Sequence, residues 1–370
     1  MNIKFGENVQ ALVGITLGDL FKLFKENNYK IEGKYWKRVL FLFISGLINS
    51  RDRKKEDKLF GAKIHDVKIE KPLFILGHWR SGTTLLHSLI SMDEQFAFSN
   101  LFQVSRPHQF LFRGEMMEKR FAQAKAQNRP MDNMKVTFRD PGEDESGLSV
   151  LSQRSPLIGW TFPDNHSYYT KYHTFADVPN EDLERWQESL LYFFKKLTWL
   201  YNKPLVLKSP NHTARIKILL EMFPDARFVH ISRDPYTVFL STQRLYNKML
   251  PLTCLQTPDL NKWDDNIIND YKTMYDAYFE QKSLIPENQF CEIKFEDLEE
   301  NKIAAIEKIY SKLNLDNFGQ LKTKIQEFDK EHKDYKKNKH IEISQDLVEK
   351  INTKWEMAFT RFGYAKRKTD

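Results

Sequence analysis

Cysteine is nearly absent: among 370 residues only Cys254 and Cys291 occur, with no Cys-x-x-Cys pair. That excludes a disulfide scaffold and a thiolate zinc site, and it fits a reducing compartment. Long apolar runs are also lacking. The longest, residues 39–48, is interrupted by Ser45 and Gly46 and reaches about half of the roughly 20 residues that a membrane span needs. Residues 1–10 include Lys4 and Glu7 and have no continuous apolar core, so no Sec-type leader is expected and the chain is placed in the cytoplasm. Tyr35, Trp36, Lys37 and Arg38 precede the apolar run and basic residues follow it. It therefore fits either a core-facing helix beside a substrate pocket or a helix lying on the inner membrane surface, a peripheral contact. Neither sign of charge dominates: 57 Lys and Arg against 50 Asp and Glu leave +7, with a pI near 9.0. Such a balance suits an anionic ligand or a membrane surface, while the mixing of Lys with Glu along most helices argues against nucleic acid as a partner. The charged stretches 51–58 and 366–368 are expected to be a solvated linker and a solvated tail.

What is present is an α/β rhythm. A hydrophobic content of 41% with 28 Phe is enough to fill a large core. Helical periodicity covers residues 9–26 and 35–48, ahead of a first strand at 71–76. Residues 96–201 show punctuated helices, including 115–127 and 181–201, and no convincing strand pair. Strands at 204–207, 227–231 and 289–293 then alternate with helices at 213–222, 236–246 and 265–283, and helices from Leu298 and Leu347 close the chain. This spacing predicts a central parallel sheet with right-handed crossovers, flanked by helices in a three-layer sandwich, with a helical insertion. The whole chain, 1–370, is expected to be one domain: an N-terminal helical cap at 1–70, a core at 71–98 and 203–340, an insertion at 99–202 and a C-terminal helix at 341–370.

The most informative stretch runs from Leu73 through Gly77, Arg80, Ser81, Gly82, Thr83 and Thr84 to His87. An apolar strand leads into a loop bounded by Gly77 and Gly82, with the spacing of a P-loop, and then into a helix whose N-terminus offers N–H groups to an anion. Thr83 stands where an ATP-binding loop has lysine. The cation has moved upstream to Arg80, which points to a phosphate ester handled without nucleotide-bound magnesium, and no metal is expected. Ligands on parallel sheets bind beyond the strand C-termini, so Arg80, Lys208 and Arg233 should share one rim.

Arg233 follows a strand ending at Ser232, and Ser241 lies on the next helix. With the Gly77 loop they resemble the two nucleotide-binding motifs of sulfotransferases that use 3'-phosphoadenosine 5'-phosphosulfate and release 3',5'-ADP. The stretch Leu207, Lys208, Ser209, Pro210 and the later run from Glu292 through Phe295 to Leu298 resemble two further markers of that family. The resemblance, over about residues 71–298, implies a P-loop NTPase-like fold. It implies that Arg80, Ser81, Gly82, Thr83 and Thr84 grip the 5'-phosphosulfate and that Arg233 and Ser241 grip the 3'-phosphate. Lys336 and Lys337, with His340, stand where relatives have a basic loop that closes over the nucleotide. A small-molecule kinase using ATP is the alternative on the same fold; it would want lysine at position 83 and an acidic metal ligand, for which Asp234 is available but reads more simply as a helix-start residue. A non-catalytic nucleotide-binding scaffold is the third.

Sulfuryl transfer needs in-line geometry and fixed positive charge, so Arg80 is assigned to clamp the transferred group and Lys208 to follow charge onto the bridging oxygen. The general base departs from the family's patterns: Pro210 and the neighbourhood 99–103 occupy the positions where relatives carry His or Glu. Glu143 and Glu145, in the turn from Arg139 to Glu145, are the candidates, because crowded carboxylates raise one another's pKa; acids in a helix's first turn also simply complement its dipole. His108 and His212 are reserves. Phe96, Phe98, Phe102, Phe110, Phe112 and the rings at 160–169 make the insertion aromatic-rich, which suits a small hydrophobic hydroxylated acceptor: a sterol, a bile acid or a lipid-like alcohol.

Overall fold

The structure, a computed structural model, describes residues 12–121, 126–128, 135–331 and 343–368. The chain forms two compact units. One gathers Glu70–Ala97, Lys203–Leu245 and Asn261–Asp370, and the other Met1–Ile69, Phe98–Asn202 and Tyr246–Leu260.

The first unit is built on four parallel strands: β1 (Leu73–Leu76), β2 (Val206–Lys208), β3 (Arg227–Ser232) and β4 (Phe290–Lys294), in the order β2-β1-β3-β4. β1 pairs Ile75 with Lys208 on one side and with Val229 on the other, and β3 pairs Ser232 with Lys294. β1 and β2 are buried along their whole length, as expected of strands covered on both faces, and their sequences are accordingly apolar with little alternation. Helices Thr83–Ile90, Ile216–Met222, Pro235–Thr253 and Trp263–Gln281 lie in the connections between strands. The fold is thus α/β, a parallel sheet flanked by helices. The expected helix at 213–222 is split into a 3-10 turn, Pro210–Ala214, and a shorter α-helix. Proline opens that turn, and the Ser209 hydroxyl caps it by accepting the Asn211 N–H at 3.2 Å. Late in the chain, Trp355 stacks on Tyr271 with centroids 3.7 Å apart and donates its indole N–H to Ile268 O.

The second unit is helical. Residues 51–58, expected to be a solvated linker, instead continue the apolar segment into one 30-residue helix, Trp36–His65. The physical reason is that two of its three acids, Asp52 and Glu56, are buried and paired. Arg113 clamps Asp52 through Nε at 2.8 Å and Nη2 at 2.6 Å, and Glu56 accepts from the Lys196 ammonium and from the Phe112 N–H. Asn49 joins the same seam, donating to Val13 O and Ile15 O and accepting from Arg106 and Gln109. The helix Asn180–Tyr201 buries Trp186, Leu190, Phe193, Phe194 and Leu197 and ends at Asn202 in the left-handed conformation. Where no strand pair was expected, Gln127–Asn128 and Lys135–Val136 form a two-residue antiparallel ladder.

Candidate active site

The loop after β1 is shaped by two glycines that no other residue could replace without displacement. Gly77 has φ +143°, and a Cβ there would lie 2.6 Å from the Ile231 carbonyl oxygen; Gly82 has φ +94°, and a Cβ would lie 2.1 Å from the Phe295 ring. The loop is also tied to its unit by hydrogen bonds: Gly77 N–H donates to Thr213 Oγ1 at 2.8 Å and His78 N–H to Tyr275 Oη at 3.4 Å. Gly82 takes the N-cap position of helix Thr83–Ile90 and supplies no side-chain cap, so the first-turn N–H groups are not consumed by a capping oxygen. Ser81 and Thr83 are buried and Thr84 half-buried.

Arg80 adopts φ +70°, a left-handed conformation that costs a residue with a side chain about 1–2 kcal/mol. Both of its ends are fixed. Its Nε donates to Ser241 Oγ at 2.9 Å, and its carbonyl oxygen accepts from Arg233 Nη1 at 3.0 Å. Strain over-determined in this way belongs to sites where a side chain has to be aimed. Arg233 lies at the C-terminal end of β3 with its guanidinium 4.1 Å from the centroid of the Phe295 ring. Burial pulls its pKa down, and the Arg80 charge adds to that, while Glu299 and Glu296 oppose it. Asp234 is engaged as a helix cap: its Oδ1 accepts from the Thr237 N–H at 2.8 Å and the Thr237 hydroxyl at 2.7 Å. This is the helix-start role expected from its sequence context.

Lys208 is 2% exposed and ends β2, in register with Ile75 two residues before Gly77. Because the strands are parallel, Lys208, the Gly77 loop and Arg233 all leave the sheet at the same C-terminal edge. The structure therefore joins Arg80, Arg233 and Ser241 by direct hydrogen bonds and places Lys208 at the end of the neighbouring strand. Three cations, a buried hydroxyl and a helix N-terminus form a donor set that fits a doubly anionic ligand. Thr213, Tyr275 and Phe295, which hold the loop, were not singled out from sequence; Phe295 alone sat in a stretch marked by the family resemblance.

Glu143 is the half-buried N-cap residue of helix Asp144–Ser152 and makes no side-chain cap bond, whereas Glu145 is fully buried and its Oε1 accepts from Ser155 Oγ at 2.6 Å. Both belong to the helical unit. There too is His108, 2% exposed; burial, with the charges of Arg53 and Lys196, drives its pKa well below the ordinary value. His212, in the turn Pro210–Ala214 after β2, is fully buried and edge-on to Phe74 at 5.4 Å. Lys336, Lys337 and His340 fall outside the described residues. Among the described residues, no group of His, Cys, Asp and Glu is arranged to hold a metal ion.

A family model described as the sulfotransferase family matches residues 72–319. Two curated proteins named omega-hydroxy-beta-dihydromenaquinone-9 sulfotransferase Stf3, from Mycobacterium bovis and Mycobacterium tuberculosis, are each 30% identical over 355 residues, spanning 95% of this chain and 90% of theirs. Among solved structures, sulfotransferase STF9 from Mycobacterium avium superposes with a TM-score of 0.64 at 16% identity, covering 95% of this chain and 97% of that one. STF1 from Mycobacterium tuberculosis gives 0.59 at 16% identity, covering 83% and 85%. At that identity the superpositions speak for the fold.

Proposed function

The chain belongs to the sulfotransferase family and is a sulfotransferase enzyme; from that premise we propose that it transfers a sulfuryl group from 3'-phosphoadenosine 5'-phosphosulfate to the hydroxyl of a hydrophobic lipid alcohol. The observation that carries the donor is the bonded trio of Arg80, Ser241 and Arg233. A site for one phosphate would need the loop alone. Here the loop's arginine is tied to a second cation at the neighbouring strand end and to a hydroxyl on the helix that follows, as a ligand with a second anionic group requires.

When bound, the donor supplies a sulfuryl group whose bond to a phosphate oxygen breaks as a bond to the acceptor oxygen forms. Arg80, always charged, opposes charge on the transferred group. The Lys208 ammonium supports the oxygen left on the phosphate, and the N–H groups opening helix Thr83–Ile90 hold the 5' anion beside it. Arg233 and Ser241 anchor the 3'-phosphate. One of Glu143 and Glu145 takes the acceptor proton; Glu143 is favoured, because it is half-buried whereas Glu145 is fully buried. For the acceptor, the relatives' name specifies an omega-hydroxylated dihydromenaquinone. The acceptor is therefore assigned to the lipid-alcohol class rather than to sterols or bile acids.

Calorimetric titration with 3',5'-ADP and with 5'-AMP tests the nucleotide site. The proposal expects 3',5'-ADP to bind at least about tenfold more tightly, the value of one charge-assisted contact, and Arg233→Ala to erase the difference. Equal affinities in the unaltered protein would remove the second anchor.

A further inference from the structure

The helix Trp36–His65 carries its polarity reversed. Its inward positions are Leu42, Ser45, Gly46, Asn49, Asp52 and Glu56, all buried and mostly polar or small. Its outward positions are Trp36, Leu40, Phe43, Ile44, Leu47 and Ile48, which are 38% to 57% exposed. Phe21 from helix Leu17–Glu26, 48% exposed, meets Phe43 edge-on with centroids 6.1 Å apart and widens the patch. A surface helix normally turns its apolar stripe to the core, and contiguous exposed apolar surface of this kind marks an interaction site.

The charge on the same face says what the interaction is. One turn beyond Leu47 and Ile48, the exposed side chains become Arg51, Lys54, Lys55 and Lys58, following the i+3 and i+4 spacing of the apolar stripe. At the other end, the Lys37 ammonium stands 5.7 Å from the Trp36 ring centroid. An apolar stripe bounded by cations and opened by a tryptophan matches a bilayer with anionic headgroups: aliphatic side chains enter the acyl boundary, the indole sits at the interface and the lysines meet the phosphates. The stripe from Trp36 to Ile48 is about 20 Å long at helical rise, enough to lie along a membrane, and no described helix is long and apolar enough to cross one. A second copy packed on this face would bring the same like-charged residues into its own interface.

We propose that the outward face of helix Trp36–His65 docks the protein on the anionic surface of a lipid bilayer. The probe is co-sedimentation of the whole protein with vesicles of phosphatidylcholine alone or containing about 30 mol% phosphatidylglycerol, with sedimentation velocity alongside. Binding should require the anionic lipid and weaken with salt. The triple variant Leu40→Gln, Ile44→Gln, Leu47→Gln and the double variant Lys54→Glu, Lys58→Glu should each lose at least about tenfold in vesicle affinity while keeping an unchanged circular dichroism spectrum, since every altered side chain is exposed. Three results would overturn the proposal: no binding to anionic vesicles, binding that both variants retain, or a concentration-dependent dimer that the triple variant dissociates, which would make the face a self-interface.

Discussion

Arg80 Nε donates to Ser241 Oγ across 2.9 Å, although the two residues are 161 positions apart in the chain. The residue assigned to the transferred group and the residue assigned to the 3'-phosphate are thereby one unit. Ser241→Ala should weaken 3',5'-ADP binding by about tenfold, the cost of a hydrogen bond to a charged group. It should also lower kcat, because Arg80 loses the partner that aims it. Titration and steady-state kinetics on the same variant separate the two effects; a variant weakened in binding alone would show that Arg80 is aimed without Ser241.

Lys208→Ala should lower kcat by about a hundredfold or more, the scale for removing one preorganised electrostatic donor, with much less change in nucleotide affinity. An unchanged kcat would take Lys208 out of the mechanism.

At Gly82 the left-handed φ and the contact with Phe295 act together. Gly82→Ala should cost about 1–3 kcal/mol of stability and abolish nucleotide binding. The double change Gly82→Ala, Phe295→Ala, which relieves the contact but not the backbone strain, should recover part of the stability in denaturant melts.

His230 is fully buried and stacked between Tyr278 at 4.2 Å and Phe362 at 5.2 Å. Burial holds its pKa at about 3 against an ordinary 6.5; Glu292 opposes the shift and Lys282 assists it. The unfolded chain therefore binds a proton that the folded chain refuses. Stability that is full above pH 6.5 is lost progressively as the pH falls toward 3. The loss contributed by this group should amount to a few kcal/mol at most. Urea melts of His230→Phe across that window should show a flatter acid limb; an identical limb would assign the acid sensitivity to other groups.

The carboxylate proposal predicts that Glu143→Gln lowers kcat and removes the acidic limb of the pH–rate profile, while Glu145→Gln, which alters a buried bond to Ser155, acts mainly on stability. Full activity with an unchanged profile in both variants would retire both residues as bases.

Much of the sheet was legible because buried parallel strands announce themselves. The strands expected at 71–76, 227–231 and 289–293 appear at Leu73–Leu76, Arg227–Ser232 and Phe290–Lys294. The rim was legible as well, since a parallel sheet delivers Lys208, the Gly77 loop and Arg233 to one edge whatever the details. The links within it were not, because Arg80 meeting Ser241 and Gly77 meeting Thr213 depend on crossovers that periodicity does not measure. The full length of helix Trp36–His65 was not legible for a related reason. A charge run reads as solvated unless its partners are known, and Arg113 and Lys196, which bury Asp52 and Glu56, are more than fifty residues away.

The central claim is tested most directly by incubating the purified protein with sulfur-labelled 3'-phosphoadenosine 5'-phosphosulfate and an omega-hydroxylated menaquinone lipid, then following label into the lipid and release of 3',5'-ADP. The account predicts stoichiometric appearance of sulfated lipid and 3',5'-ADP, abolished in Arg80→Ala. Absence of label transfer to any hydroxylated lipid, or phosphoryl transfer from ATP in its place, would contradict it.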